Sequence, residues 1–118
     1  MLFRSALEEA AAFLGLSPAE VLDTATFYEE YFLKPKGEHL IQVCRSIACE
    51  LCGYKDLRDK LQAKLGILPG ETTDDGKITL MEVECLGACD FAPCALVDHH
   101  LHETLSFEKL SKVIDGLK

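Results

Sequence analysis

The chain has 118 residues, 48% of them hydrophobic, enough for one compact domain, or one domain with a short appendage, without disulfide stapling. A formal net charge of −8, with no Lys/Arg stripe to offset the acids, weighs against nucleic acid and anionic membranes and leaves room for docking on a basic protein face. Met1-Leu-Phe-Arg4 is followed at once by Glu8 and Glu9, which does not suit a secretory signal, and the uncharged stretch from Ala10 to Ala19 is too short to cross a bilayer. The expected location is therefore the cytoplasm, where clustered cysteines more often mean metal than disulfide.

The first third reads as helical. Phe3, Leu7, Ala10, Ala11 and Leu14 recur at three- and four-residue steps, and Gly15 supplies a stop. Ser17-Pro-Ala-Glu20 restarts the helix, with Ser as N-cap, Pro at the first helical position and Glu closing a capping box. The second helix carries Val21, Leu22 and Ala25, then Phe27, Tyr28, Tyr31 and Phe32, and is predicted to run to Lys34-Pro-Lys-Gly37. A boundary is placed there, giving a helical segment 1–37 and a second region 38–118.

From Leu40 the pattern alternates. Leu40–Val43 reads as a strand, Cys44–Gly53 as a ligand loop, and Leu57, Leu61 and Leu65 as one face of a helix over 54–65 that stops at Gly66. Pro69–Gly76 is turn-rich and reverses most sharply at Asp75-Gly76. A strand over Ile78–Val83 leads to a second ligand loop, and Ala95–Asp98 reads as a third strand. Ser106 caps the last helix, Leu105 and Leu110 are placed to form a hydrophobic staple, and Val113, Ile114 and Leu117 form its buried face. The order β-α-β-β-α predicts an α/β sheet layered by helices, with a right-handed first crossover if its strands are parallel.

Four of the six cysteines form two short pairs, Cys44-x4-Cys49 and Cys85-Leu-Gly-Ala-Cys89, each directly after a strand-like run. Thiolate pairs presented from the ends of adjacent strands suit a [2Fe–2S] cluster, which takes four thiolates as two plus two. Other groupings stay open. Cys44, Cys49 and Cys52 also match plant-type ferredoxin spacing, the pairs qualify for a four-cysteine zinc site, and Cys49-Glu-Leu-Cys52 formally fits a redox dithiol.

The segments Val43-Cys-Arg-Ser-Ile-Ala-Cys49, Gly70-Glu-Thr-Thr-Asp-Asp-Gly76 and Glu82-Val-Glu-Cys-Leu-Gly-Ala-Cys-Asp-Phe-Ala-Pro93 resemble the thioredoxin-like [2Fe–2S] ferredoxin family. Within it they are similar to the small iron–sulfur subunits of NADH:quinone oxidoreductase (complex I). Ala25-Thr-Phe-Tyr28, with Phe32 and Gly37, resembles the segment leading into that domain. The resemblance implies a thioredoxin-like domain after a short helical segment, with Cys44 and Cys49 on one iron and Cys85 and Cys89 on the other. It also implies a non-catalytic electron-carrier subunit beside a flavin- and NADH-binding partner, in the peripheral arm of a membrane-associated complex, with no activity alone. Equivalent subunits serve NAD-reducing hydrogenases and formate dehydrogenases, and a zinc-binding or redox-regulatory module is the alternative of another class.

Two departures from the family stand out. Cys52 and Cys94 occupy positions that are not ligands in it, each near a ligand loop where a damaged cluster could rearrange onto it. The helical N-terminal region, which packs against the partner in the family, is shorter here. Gly87 allows a tight turn within the second pair, Pro93 fixes the exit into the third strand, and Ser46 is read equally as a donor to sulfur or as an ordinary cap. His99-His-Leu-His102-Glu103 reads as solvated surface at a strand end, and Phe27 and Tyr28 as packing or partner contacts. No phosphate-cradling glycine loop and no Ser/His/Asp set occurs, so neither nucleotide binding nor hydrolysis is expected.

Overall fold

A computed structural model describes residues 4–28 and 31–117. By internal contacts the chain divides into two units, 1–36 and 37–118.

The first unit is a pair of helices, α1 (Arg4–Leu14) and α2 (Pro18–Phe27). Helix α1 buries Leu7 and Ala11, one turn apart on a single face, and ends beside Gly15. The predicted Phe3 contact lies outside the described residues. The Ser17 hydroxyl accepts from the Glu20 amide at 3.3 Å while the Glu20 carboxylate accepts from the Ser17 amide at 2.8 Å, so the capping box is formed. The predicted run of α2 to Lys34 is not observed. The helix stops at Phe27, and Tyr28 turns to extended backbone. Its last turns carry Thr24 and Thr26, whose hydroxyls donate back to the carbonyls of Glu20 and Leu22 and compete with the helical ladder. Only Ala25 of α2 is buried, so little packing opposes that competition.

The second unit is built on β1 (His39–Cys44), whose residues after His39 are all buried. Helices α3 (Ile47–Leu51) and α4 (Tyr54–Leu65) follow, then β2 (Ile78–Val83), β3 (Ala95–Val97), β4 (His100–His102) and α5 (Phe107–Asp115). The sheet order is β2-β1-β3-β4. Strands β1 and β2 are parallel, pairing His39 with Ile78 and Cys44 with Val83. Strand β3 runs antiparallel to β1, with Val43 opposite Ala95, and β4 antiparallel to β3.

Burial on both faces explains why β1 reads as an apolar run rather than an alternating one. Ile41, Val43 and Leu80 from the sheet, Leu57 and Leu61 from α4, and Leu110 and Ile114 from α5 share one core. Leu105 and Leu110 are both buried in it, and Ser106 caps α5 by accepting from the Lys109 amide. Gly37 opens this unit because the backbone of Lys77 and Ile78 runs past it. A side-chain carbon there would sit 2.8 Å from the Lys77 carbonyl carbon, and the Gly37 amide donates to Thr79 Oγ1 at 2.7 Å.

Besides the early end of α2, the second unit adds short elements to those expected. The first ligand loop contains α3, a short helix. The segment 99–103 is solvated surface, as expected, but it also contains β4, which pairs with β3 across a turn at Asp98 and His99. Both turn residues have positive φ, 49° and 68°, the backbone that a tight two-residue hairpin needs. Asp and His visit that region more readily than most residues, which makes Asp98-His99 a faint hairpin signal without a glycine.

Candidate metal centre

Parallel pairing delivers the two cysteine loops side by side. The chain leaves β1 at Cys44 and β2 at the paired Val83, and the Arg45 amide donates to the Val83 carbonyl at 2.9 Å. Arg45 then ties the loops together by an ion pair with Glu84, its Nε lying 3.0 Å from the carboxylate. Below them the Tyr54 hydroxyl donates to Glu82, which also takes Arg58 Nη1 at 3.4 Å. Burial, and then the Glu82 hydrogen bond, push the Tyr54 phenol up to about 12. No local pattern announces this polar strut, because its members lie 24 and 28 residues apart.

The first pair is buried. Helix α3 turns Ile47 and Leu51 to solvent, 79% and 83% exposed, and points the smaller Cys49 inward. Cys44 and Cys49 are 2% and 0% exposed, and a third buried cysteine, Cys94, joins them. The three sulfurs lie within 4.8 Å of one another, with Cys49 and Cys94 3.9 Å apart.

Ser46 stands at the N-cap position of α3 but makes no cap bond. Its hydroxyl lies 3.4 Å from Cys44 Sγ, so its contact is with sulfur. Burial alone would raise the Cys44 thiol. The Ser46 hydroxyl and amide, the Leu86 amide and Cys49 instead draw it down to about 7. Burial, then the charges of Cys49 and Cys44, push the Cys94 thiol up to about 12.

The second pair is exposed. Gly87 takes φ +74° and its amide donates to Cys85 Sγ at 3.3 Å. A side-chain carbon at Gly87 would meet nothing within 4 Å, so the backbone angle and not space requires glycine. The Cys89 thiol is raised by the charge of Cys85 first, then by burial, and also by Cys49 and Cys44. The Leu86 amide also bears on Cys44, and the charges of Cys49 and Cys44 bear on Cys89, but the sulfurs that come within 4.8 Å of one another are those of Cys44, Cys49 and Cys94. Cys52, exposed at the end of α3, stands apart from the buried trio.

Thiols alone, with an amide donor and a hydroxyl turned toward them, form a set that fits soft metal chemistry of the zinc or iron–sulfur kind. Comparison with known proteins separates the two. Residues 1–118 match the family described as thioredoxin-like [2Fe-2S] ferredoxin. The chain belongs to that family.

Members of the thioredoxin-like [2Fe–2S] ferredoxin family carry a [2Fe–2S] cluster, and the thiols of this chain fit one. Its relatives include a subunit of NADH-quinone oxidoreductase from Escherichia coli (strain K12), 37% identical over 113 residues covering 96% of this chain and 68% of that protein. A subunit of NADH-quinone oxidoreductase from Rhizobium meliloti (strain 1021) is 40% identical over 112 residues, covering 95% of this chain and 67% of that protein. Among solved structures, an NAD+-reducing [NiFe]-hydrogenase in the H2-reduced state superposes with a TM-score of 0.82 at 27% identity. It matches 97% of this chain, which spans only 20% of the hydrogenase chain. The wild-type thioredoxin-like [2Fe-2S] ferredoxin from Aquifex aeolicus shares the fold, with a TM-score of 0.54 at 14% identity over 67% of this chain and 84% of its own. Among the described residues of this ferredoxin-family chain, no helix is long and apolar enough to cross a membrane.

Proposed function

We propose that this chain is the electron-carrier subunit of an NADH-oxidising complex of the NADH:quinone oxidoreductase kind. In it Cys44 and Cys49 hold one iron of a [2Fe–2S] cluster and Cys85 and Cys89 hold the other. The observation that carries this reading is the convergence of two cysteine pairs at paired strand ends, in a chain 37% identical to a subunit of NADH-quinone oxidoreductase over 96% of its length. When bound, the cluster supplies reversible one-electron uptake. The residues around it do the rest. Cys44 and Cys49 supply thiolates from within the core, Gly87 directs an amide at Cys85, and Ser46 places a hydroxyl against Cys44. These donors favour the more negative charge state and so help to set the potential.

The finer proposals follow from the same reading. The partner is a flavin- and NADH-binding subunit, because no phosphate-cradling loop in this chain would bind either ligand. Residues 1–37 form a docking segment and 38–118 the cluster domain. Phe27 and Tyr28, 80% and 56% exposed, and Ile47 and Leu51 on α3 are apolar side chains suited to that contact. The complex is placed in the cytoplasm as a peripheral arm. A second reading, the equivalent subunit of an NAD-reducing hydrogenase, is favoured by the TM-score of 0.82.

The test mixes cluster-loaded chain with NADH and an artificial acceptor, with and without the flavin subunit. Turnover is expected only when the partner is present, and robust turnover by this chain alone would defeat the proposal. For the ligand set, iron content and visible absorbance are measured in Ser variants of all six cysteines. Loss in Cys52→Ser with Cys85→Ser unaffected would favour the plant-type grouping instead.

A further inference from the structure

We propose that Cys94 is a reserve ligand of the buried half of the centre, able to take iron in place of Cys49. The inference rests on the two-plus-two ligand reading above and adds a residue to it.

Strand register comes first. Val43 pairs with Ala95 in the antiparallel β1–β3 ladder, and the Cys44 amide donates to the Cys94 carbonyl at 3.2 Å, extending that ladder by one residue. Directly opposed residues of antiparallel strands project from the same face, so the sheet itself sets the Cys94 side chain beside that of Cys44. The backbone is held on the other side as well, since the Leu105 amide donates to the Pro93 carbonyl at 2.8 Å. Helix α3 then brings Cys49 into the same space, and its sulfur comes to 3.9 Å from that of Cys94.

Two ligand positions are thus served by three buried sulfurs, and a side-chain rotation is enough to trade one for another. Cys52 has no such placement. It lies three residues beyond Cys49 but faces solvent. In the exchange, Cys49 gives up its bond to iron and takes a proton, while Cys94 loses its proton and makes the bond. No electron moves. The competing reading is that Cys94 is only a small apolar residue filling the core, a common role for buried cysteine.

The experiment removes Cys49 by C49A, since a serine hydroxyl could itself coordinate, and compares it with C49A/C94A and C49A/C52A. Each full-length chain is reconstituted anaerobically with iron and sulfide. Iron and sulfide content, the visible circular dichroism spectrum and the low-temperature paramagnetic signal after chemical reduction are recorded. Far-ultraviolet circular dichroism verifies that each variant folds, and if C49A/C94A does not fold, C49A/C94V replaces it and keeps the core volume. C49A and C49A/C52A are expected to retain iron with a shifted visible spectrum, while C49A/C94A loses it by about tenfold or more. An equally empty C49A, or emptying in C49A/C52A with retention in C49A/C94A, overturns the proposal. C85A/C89A is run alongside. It is expected to be empty, and a full iron load there would sink the ligand reading itself whatever the Cys49 variants do.

Discussion

The loop after β1 and the loop after β2 leave the sheet from paired positions, Cys44 and Val83, yet they hold their thiols in opposite surroundings. The first folds back into α3 and buries Cys44 and Cys49 against the core. The second turns left-handed at Gly87, carries one 3-10 turn over Cys89–Phe91, and leaves Cys85 and Cys89 exposed. A cluster held between them would have one half embedded in a packed interior and the other at the surface. Packing determines thiol positions in the buried half, and backbone angle determines them in the exposed half. The buried half can therefore accommodate a third sulfur, and the exposed half offers the shorter route to a partner.

Reactivity is the most sensitive way to break this comparison. In the cluster-free chain, iodoacetamide should reach the exposed Cys52, Cys85 and Cys89 without any opening of the fold, with Cys89 slowed by its raised thiol. Cys44, Cys49 and Cys94 should react about a thousandfold more slowly, because labelling them requires an opening of about 4 kcal/mol. Peptide mass spectrometry over a time course reads this directly, and equal rates at all six sites would erase the distinction.

Gly87→Ala addresses the exposed half alone. A left-handed angle costs a non-glycine residue about 1–2 kcal/mol, and no neighbour adds a clash. The variant should lose iron to a chelator roughly tenfold faster than wild type, with the melting temperature of the cluster-free chain hardly changed. A large drop in that temperature would mean the loop is part of the core after all.

Ser46→Ala addresses the buried half. Losing one hydrogen bond to sulfur, worth about 1 kcal/mol, should lower the one-electron potential by about 40 mV, because the reduced state loses a donor that favours it. Redox titration followed by visible absorbance measures the shift, and an unchanged potential would return Ser46 to a spectator.

The smallest expected effect comes from the other end of β1 and tests whether the difference is confined to the cysteine loops. Burial alone would raise the Asp98 carboxyl, but the Leu40 amide at 2.8 Å and His39 at 2.6 Å hold it below its ordinary value of 3.8. A depressed carboxylate contributes stability above its unfolded pKa, and that stability is lost as pH falls through the folded one. Asp98→Asn should therefore cost about 0.5 kcal/mol near neutral pH, with partial exposure limiting the effect, and should flatten the acid limb of urea midpoints below about pH 4. Unaltered acid dependence would remove Asp98 from the balance.

Much of this protein is written locally. The Ser17–Glu20 capping box, the 54–65 helix with leucines one turn apart and the apolar runs of β1 and β2 declare themselves within a few residues, because capping, helical periodicity and full burial each impose a short-range pattern. The two cysteine pairs are legible for the same reason, each following its strand at once. Where local signals conflict, the sequence is a poorer guide. The extent of α2 depends on hydroxyl competition and on packing that only the folded chain reveals, and β4 on non-glycine residues taking positive φ. The placement of Cys94 is decided by tertiary structure alone. It stands 50 residues from Cys44 and 45 from Cys49, and only the antiparallel register of β3 on β1 sets its sulfur among theirs. Strand pairing is a non-local choice, made by the whole core at once, and no window of sequence contains both partners.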